Sequence, residues 1–312
     1  MKDLLRTQDL SRDDVELLLE TAAAFAKEPL RSKSALANKS VAIYMTKPST
    51  RTRLSSETAI AHLGGVPIFI RGDELQLGRG ETIADTAKII SGYCSALIIR
   101  TFAQSDVDEL GAHASIPVIN ALTDDDHPTQ LLADWLTIRE NFGKDIAGRK
   151  FVYLGDGNNM SHAWLIMGAI MGAHVVAATP SGKWAPNAKV VEIAKNIAAK
   201  SGGKVEVSHD PEAASKDASV LYTDVWMSMG DSESERDEKV LALSPFAVTE
   251  NLFSLTNKDS IFMHCLPAHR GEEVEASVID GPRSVIWREA YHRRTTIQSL
   301  LFHLTKGDLK GN

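Results

Sequence analysis

The sequence predicts an α/β protein with two doubly wound domains, each a parallel sheet flanked by helices. Short apolar runs of strand length alternate with amphipathic segments, and the alternation starts again after a polar turn at residues 144–150. Such alternation is typical of parallel sheets. At 312 residues the chain is long enough for two domains of ordinary size. We therefore predict domains at residues 1–143 and 148–288.

Nine apolar runs have the length and residue types of buried strands. They lie at residues 41–45, 67–70, 96–99, 117–122, 151–154, 175–178, 205–207, 220–223 and from 261 onward. Between them, apolar residues recur every three or four positions, as on one face of a helix. The segments with this pattern are residues 15–26, 54–63, 82–94, 105–114, 128–142, 160–171 and 186–200. Ser11, with Asp14 three positions later, is a typical cap for the first helix.

Composition narrows the class of protein. Hydrophobic residues make up 43% and charged residues 24%, as in soluble globular proteins. The net charge of −7, with no long basic run, argues against nucleic acid as the main partner. No apolar segment is long enough for a signal peptide or a membrane span. Cys94 and Cys265 have no metal-type spacing, so we expect a reducing, cytoplasmic setting.

A candidate anion site lies at residues 47–53 (Lys-Pro-Ser-Thr-Arg-Thr-Arg), between a predicted strand and a predicted helix. The first N–H groups of a helix lack intrahelical partners, and the helix dipole adds positive charge there. Arg51 and Arg53 add planar forks that bind phosphate or carboxylate oxygens in pairs. An isolated Ser-Thr-Arg triplet is more typical of a helix cap with solvated arginines. Two arginines, three hydroxyls and a proline in one turn favour a small anionic ligand.

Polar residues follow two further strands of the first half. Arg100 and Thr101 end one strand, and residues 126–130 (Asp-His-Pro-Thr-Gln) follow the next. Ligands of open parallel sheets bind beyond the carboxyl ends of the strands, so these residues and the anion turn are expected to converge. His127 before a proline is, taken alone, more typical of a helix entry. Its place on the same sheet edge favours a functional role.

A glycine-bearing turn opens the second half at residues 154–159 (Leu-Gly-Asp-Gly-Asn-Asn). It lies where a strand meets a helix, as in dinucleotide-binding proteins, but it lacks the third glycine of that fingerprint. Asp156 would also repel a pyrophosphate. The turn therefore favours a polar amino-acid substrate held by Asn159.

Two more strands of the second half end in candidate residues. Asp224 follows one of them and is equally typical of a helix cap. The charged residues 231–239 beyond it have no apolar face and predict a mobile surface loop. Cys265 follows the other strand, where a lone cysteine is usually a small buried hydrophobe. The Leu266-Pro267 bond after it is a candidate for the cis form.

Together these segments resemble the carbamoyltransferases, and within that superfamily the branch that uses ornithine. Residues 49–53 and 127–130 are similar to the carbamoyl phosphate signatures of the superfamily. Asp224 with residues 228–230, and residues 264–267, are similar to the signatures of the ornithine branch. The likeness covers nearly the whole chain. It departs at residues 44–48 (Tyr-Met-Thr-Lys-Pro), where many relatives have a Phe-Glu-Lys lead-in, which puts only minor packing in doubt.

The resemblance implies a reaction and an assembly. The side-chain amine of ornithine would attack carbamoyl phosphate, giving citrulline and phosphate without cofactor or metal, within arginine metabolism. Biosynthesis is the expected direction, and arginine breakdown stays open. Residues 1–143, closed by a C-terminal helix at 289–305, would bind carbamoyl phosphate. Residues 148–288 would bind ornithine, with the active site in the cleft between the two domains. The implied assembly is a homotrimer that shares its active sites between subunits.

The resemblance also implies individual site residues. Those at carbamoyl phosphate are Ser49, Thr50, Arg51, Thr52, Gln76, Arg100, His127, Gln130, Cys265, Leu266 and Arg293. Those at ornithine are Asn159, Asp224, Ser228 and Met229. Catalytic roles fall to Arg100 and His127, which together with Thr52 face the carbonyl oxygen, and to Cys265, near the attacking nitrogen. Gln76 would reach into the adjacent subunit.

Other functions remain open at this point. Asp224 beside the neutral Ser228 and Met229 favours a basic acceptor over aspartate, which calls for added cations. Putrescine and N-acetylornithine share the carbamoyl phosphate half of the site and stay possible acceptors. A non-catalytic metabolite-binding protein and a dinucleotide oxidoreductase are rivals of other classes. The first is disfavoured because Arg51, Arg100, His127 and Cys265 are all present.

Overall fold

A computed structural model describes residues 1–75, 80–227 and 232–312 of the protein. The chain divides into two compact units. The first unit contains residues 1–136 and 291–312, and the second unit contains residues 137–290. Each unit has a parallel sheet of its own.

Nine strands and twelve α-helices alternate along the described parts of the chain. The strands are β1 (Ser40–Met45), β2 (Val66–Arg71), β3 (Ala96–Arg100), β4 (Val118–Leu122), β5 (Lys150–Leu154), β6 (His174–Ala178), β7 (Lys204–Ser208), β8 (Val220–Thr223) and β9 (Ile261–His264). The helices are α1 (Arg12–Lys27), α2 (Thr50–His62), α3 (Ile83–Tyr93), α4 (Gln104–His113), α5 (Pro128–Phe142), α6 (Asn159–Ile170), α7 (Ala188–Ser201), α8 (Pro211–Ser215), α9 (Arg236–Leu243), α10 (Glu250–Ser254), α11 (Ala276–Ile279) and α12 (Ile286–Leu304). The predicted strands are confirmed.

The sheet of the first unit has the strand order β2-β1-β3-β4, and all its neighbouring strands are parallel. Met45 at the end of β1 is in register with Arg71 of β2 and Arg100 of β3. The carboxyl ends of these strands are therefore level. The residues that follow β1 and β3 emerge side by side at one edge of the sheet.

Side-chain caps start the helices that matter for the site. Ser49 has an extended backbone, with φ −161°, and its hydroxyl accepts the Thr52 N–H at 3.2 Å, which begins α2. A cap of this kind satisfies one of the orphan donors at a helix start. The cap predicted at Ser11 is confirmed, because the Ser11 hydroxyl accepts the Asp14 N–H at 3.2 Å.

The sheet of the second unit has the order β7-β6-β5-β8-β9 and is also parallel. Thr223 at the end of β8 is in register with Leu154 of β5 and His264 of β9. Three consecutive strands thus end at the same level. The residues that follow them are the glycine turn, Asp224 and Cys265.

Each sheet lies in its own apolar core. In the first unit, residues of β1, β3 and α4 such as Ala42, Leu97 and Leu110 pack together. In the second, Val152, Leu221 and Phe262 of β5, β8 and β9 do so. No helix in the described parts of the chain is both long and apolar enough to cross a bilayer.

The prediction of a mobile loop at residues 231–239 is wrong for residues 232–239, which the structure describes. Residues Glu233–Glu235 form a 3-10 turn, and Arg236–Leu243 forms α9. The buried side of α9 consists of Lys239 and Leu243, four positions apart. Lys239 is buried because its ammonium pairs with Asp156 at 2.7 Å. A lysine does not count as apolar in a sequence pattern, so the buried side was missed.

Candidate active site

The N-terminus of α2 and the end of β3 bring the predicted anion-binding residues to one edge of the first unit. Thr52, in the first turn of α2, is fully buried, and Arg100 keeps 7% of its surface exposed. Arg51 and Arg100 both lie close enough to His127 to lower the pKa of its imidazole. The structure thus brings together the three strand ends that the sequence predicted to converge.

His127 lies at the entry of α5 and is held neutral. Burial lowers its pKa well below the usual value, and the charges of Arg293, Arg100 and Arg51 lower it further. Its backbone N–H donates to Asp126 Oδ1 at 2.7 Å. A neutral imidazole with so low a pKa is a poor proton acceptor but carries one ring N–H that can donate. The environment suits a hydrogen-bond donor to an oxygen better than a general base.

Arg293 of α12 joins this cluster through two neutral oxygens. It is almost fully buried and donates to Gln130 Oε1 at 2.5 Å and to Thr52 Oγ1 at 3.3 Å. Gln130 donates in turn from Nε2 to Asp134 Oδ1 at 2.8 Å. The hydrogen bonds fix both the amide of Gln130 and the guanidinium of Arg293. Asp134, which sequence reasoning missed, therefore supports a predicted site residue.

In the second unit, Asp224 and Cys265 lie at the ends of neighbouring strands and contact each other. The Cys265 thiol donates to Asp224 Oδ1 at 2.9 Å, and the same oxygen accepts the Val225 N–H at 2.8 Å. Both predicted residues thus lie in one cluster. Asp224 is buried, whereas Cys265 is only half-buried, so the thiol is more than a small core residue.

The glycine turn is shaped by packing against its own unit. A Cβ on Gly157 would lie 2.2 Å from the backbone carbon of Ala185, so the glycine is needed for close approach of two chain segments. Asn158 caps α6 by accepting the Met160 N–H at 2.9 Å. Asn159, the predicted ligand, is the first residue of α6 and is half-buried. This close packing alone explains why residue 157 is a glycine, without a bound pyrophosphate.

Tyr153 belongs to this second cluster, although no sequence pattern selected it. Burial raises the pKa of its phenol well above the usual value, and Asp224, Asp156 and Cys265 raise it further. The hydroxyl donates to Asn158 Oδ1 at 3.2 Å. These groups surround the phenol and give the cluster an acidic character. Asp156 differs from Asp224 in having an ammonium partner, Lys239, at 2.7 Å.

The segment after β9 is braced from behind by buried polar groups. The Leu266 N–H donates to His264 Nδ1 at 2.8 Å, so the proton of the neutral ring is on Nε2, which donates to Glu273 Oε1 at 3.2 Å. Leu266 has a φ of +60°, a left-handed conformation that costs energy for a branched side chain. The hydrogen bond from its own N–H to His264 helps to hold Leu266 in this conformation. The Leu266-Pro267 bond is cis, as predicted.

Two groups in the described parts of the chain have the composition of a metal site. Ligand atoms of Asp224, His264 and Cys265 lie within 4.8 Å of one another, as do those of His269, Glu272 and Glu273. His264 already uses Nδ1 for Leu266 and Nε2 for Glu273. A metal at the first group would have to displace one of these bonds.

Three predicted site residues lie outside the described residues. They are Gln76, Ser228 and Met229. All the other predicted site residues lie in the described parts of the chain.

Comparison with known proteins identifies the family. Residues 2–140 match the aspartate/ornithine carbamoyltransferase carbamoyl-P binding domain, and residues 147–304 match the Asp/Orn binding domain of the same family. The chain is 48% identical to an ornithine carbamoyltransferase of Pyrococcus horikoshii, over 98% of this chain and 96% of that one. It is 47% identical to the anabolic ornithine carbamoyltransferase of Pyrococcus furiosus, over 99% and 98%.

Solved structures agree. An ornithine carbamoyltransferase structure from Pyrococcus furiosus has a TM-score of 0.93 at 47% identity, covering 99% of this chain and 98% of that one. An ornithine transcarbamoylase from Giardia lamblia has a TM-score of 0.89 at 34% identity, covering 97% and 98%. Sequence and fold therefore agree over almost the full length, and the chain belongs to the aspartate/ornithine carbamoyltransferase family.

Proposed function

We propose that this protein is an ornithine carbamoyltransferase, which transfers the carbamoyl group of carbamoyl phosphate to the side-chain amine of L-ornithine. The products are L-citrulline and phosphate. The observation that carries the proposal is the neutral His127 among three arginines, in the part of the chain that matches a carbamoyl-P binding domain. The names of the relatives support ornithine as the acceptor.

The donor substrate binds residues 1–143 together with the C-terminal helix at 289–305. The phosphate lies at the N-terminus of α2, with Ser49, Thr50, Arg51 and Thr52. Arg100 and His127 donate to the carbonyl oxygen, which gains negative charge as the amine attacks. Gln130 accepts from the carbamoyl amino group, and Arg293, which its amide orients, adds positive charge. Phosphate is a good leaving group, so polarisation and positioning supply most of the acceleration.

The acceptor binds residues 148–288. Asp224 pairs with the α-ammonium of ornithine, and Asn159, Ser228 and Met229 complete the contacts to its amino-acid end. Cys265 and Leu266 lie near the attacking nitrogen, and their contacts extend to carbamoyl phosphate. This amine must lose a proton before it attacks, since its intrinsic pKa is well above neutral. The Cys265 thiol, already hydrogen-bonded to Asp224, is placed to relay that proton.

An acceptor screen tests this function. The purified protein is given carbamoyl phosphate with ornithine, putrescine, N-acetylornithine or aspartate, and the carbamoylated product and phosphate are both measured. We expect equal amounts of citrulline and phosphate with ornithine and far less product with the others. A faster reaction with putrescine would reassign the acceptor. Binding of carbamoyl phosphate without product from any acceptor would favour the metabolite-binding alternative.

The assembly is a homotrimer in which Gln76 enters the active site of the neighbouring subunit. Support comes from β2, an edge strand of its sheet, on which Val66 and Ile68 expose 58% and 39% of their surface. Exposed apolar side chains on an edge strand invite cover by another chain. The test mixes inactive Gln76→Ala and Arg51→Met subunits. Partial recovery of activity is expected, and no recovery under proven subunit exchange would contradict shared sites.

The physiological direction is arginine biosynthesis, in the cytoplasm. The support for direction is the name of the Pyrococcus furiosus relative, which is described as anabolic. The support for compartment is that both cysteines, Cys94 and Cys265, are free thiols, as is usual under reducing conditions. Deletion of the gene is expected to make growth depend on added arginine or citrulline. Growth without either would contradict a biosynthetic role.

A further inference from the structure

The first nine residues are tied to the edge of the first sheet. The Leu4 N–H donates to the Val118 carbonyl at 2.9 Å, and the Asn120 N–H donates to the Leu4 carbonyl at 2.8 Å. The segment therefore pairs with β4 through one isolated bridge, between Leu4 and Ile119. Further on, Arg6 forms a paired ion contact with Asp108 of α4, at 2.7 and 2.6 Å.

Thr7 of this segment contacts Asp126, the residue that precedes His127. The Thr7 N–H donates to Asp126 Oδ2 at 2.6 Å, and the Thr7 hydroxyl donates to Asp126 Oδ1 at 2.7 Å. Thr7 is fully buried and Asp126 is 9% exposed. Asp126 Oδ1 also accepts the backbone N–H of His127 at 2.7 Å. One carboxylate thus joins a residue 119 positions earlier to the backbone of the predicted catalytic histidine.

A buried carboxylate is costly, and hydrogen bonds to an ionised acceptor are short and strong. The three donors that hold Asp126 all belong to Thr7 and His127. An apolar contact could dock the N-terminal segment equally well, without the cost of removing a carboxylate from water. Docking alone therefore does not explain why Asp126 and its three hydrogen bonds are buried here. The bonds instead fix the backbone at the point where His127 enters α5.

We infer that Asp126, anchored by Thr7, is a positioning residue that aims the His127 imidazole at the carbonyl of the donor substrate. The inference rests on the proposed function of His127. Asp126 and Thr7 do not themselves contact the substrate in the proposed arrangement. Their effect passes through the His127 backbone, and misplacement of a catalytic group by a fraction of an ångström already lowers the rate.

The principal variant is Thr7→Val, which removes one hydroxyl without changing the size of the side chain. We expect kcat to fall about tenfold, with the KM for carbamoyl phosphate changed by less than about twofold, since the His127 contact strengthens in the transition state. Thr7→Ser, which restores the hydroxyl, should restore kcat. Asp126→Asn, which cannot accept all three bonds in the same way, is the second variant should Thr7→Val fail to fold.

Asp108→Asn is the matched control. It removes the charge and one of the two oxygens that Arg6 binds on the same N-terminal segment, but leaves the bonds between Thr7 and Asp126 in place, so kcat should stay normal. The inference is overturned if Thr7→Val or Asp126→Asn has normal kcat, or if Asp108→Asn loses as much activity as Thr7→Val. A loss confined to the KM for carbamoyl phosphate would also overturn it.

A readout independent of turnover separates this inference from the proposed function. In protein with ¹⁵N-labelled histidine, the imidazole signals of His127 should shift in Thr7→Val and stay unchanged in Asp108→Asn. If the wild-type protein makes no citrulline, the proposed function fails while this measurement still decides the positioning. Unchanged His127 signals in Thr7→Val would refute the positioning, whatever the activity.

Discussion

The two units place charges of opposite sign around a neutral group. In the first, burial lowers the pKa of His127, and Arg293, Arg100 and Arg51 lower it further. In the second, burial raises the pKa of Tyr153, and Asp224 and Asp156 raise it further. The central group is uncharged near neutral pH in both clusters. The sign of the neighbours therefore distinguishes a site suited to a phosphate dianion from a site suited to an ammonium.

The clusters are alike in how their charged groups are oriented. Arg293 is held through the neutral oxygens of Gln130 and Thr52, and Asp224 through a thiol and a peptide N–H. The thiol and the peptide N–H orient the Asp224 carboxylate without bringing a positive charge to it. Asp156 differs, because it pairs with the Lys239 ammonium. In the second unit Asp224 is therefore the better candidate to pair with a cationic substrate.

The largest expected effect comes from removing the centre of the cationic cluster. His127→Ala should lower kcat by about 10²–10³-fold, the usual loss for one donor to a developing oxyanion. Steady-state kinetics should show the KM for ornithine nearly unchanged. His113→Ala, on the exposed end of α4, is the control and should have normal kcat. A loss of less than tenfold in His127→Ala would contradict a role in polarising the carbonyl.

The next effect concerns the ion pair of the acidic cluster. Lys239→Met leaves Asp156 buried without its cation and should destabilise the protein by about 3 kcal/mol, measured by urea denaturation. The double variant Asp156→Asn/Lys239→Met removes both charges and should recover most of this loss. Lys183→Met is the control, since Lys183 binds Glu235 beside α9 at 2.8 Å but is exposed. If the single and double variants are equally unstable, the buried ion pair with Asp156 is not the reason that Lys239 stabilises the protein.

An acidic side chain beside the cationic cluster offers a test with pH. Burial raises the pKa of Asp126 from 3.8 to about 6 despite its three hydrogen bonds. A carboxyl with a raised folded-state pKa contributes stability below its unfolded pKa and loses that contribution as the pH rises through the folded value. The stability of the wild type relative to Asp126→Asn should therefore fall by about 2–3 kcal/mol between pH 4 and 7. A difference independent of pH would contradict the raised pKa.

Residues close in sequence to strand ends could be selected from the sequence, whereas residues that depend on distant partners could not. The apolar runs predict every strand because a buried parallel strand is recorded in its own residues. Arg100, Asp224 and Cys265 could be selected because each directly follows or ends such a run. Lys239 pairs with Asp156 from far along the chain, and no local pattern shows this contact. The same holds for Thr7 and Asp126, which are 119 positions apart in the chain.

The smallest effect tests the acidic cluster directly. Asp224→Asn keeps an acceptor for the Cys265 thiol and the Val225 N–H but removes the charge that pairs with the α-ammonium of ornithine. The KM for ornithine should rise about 30-fold, since the loss of one member of a buried charge pair costs about 2 kcal/mol or more. The KM for carbamoyl phosphate should change little, because the cationic cluster is untouched. Asp237→Asn, exposed in the first turn of α9, is the control. If Asp224→Asn raises both KM values equally, the carboxylate supports the fold of the enzyme as a whole. The opposite charges of the two clusters would then not determine which substrate binds to which unit.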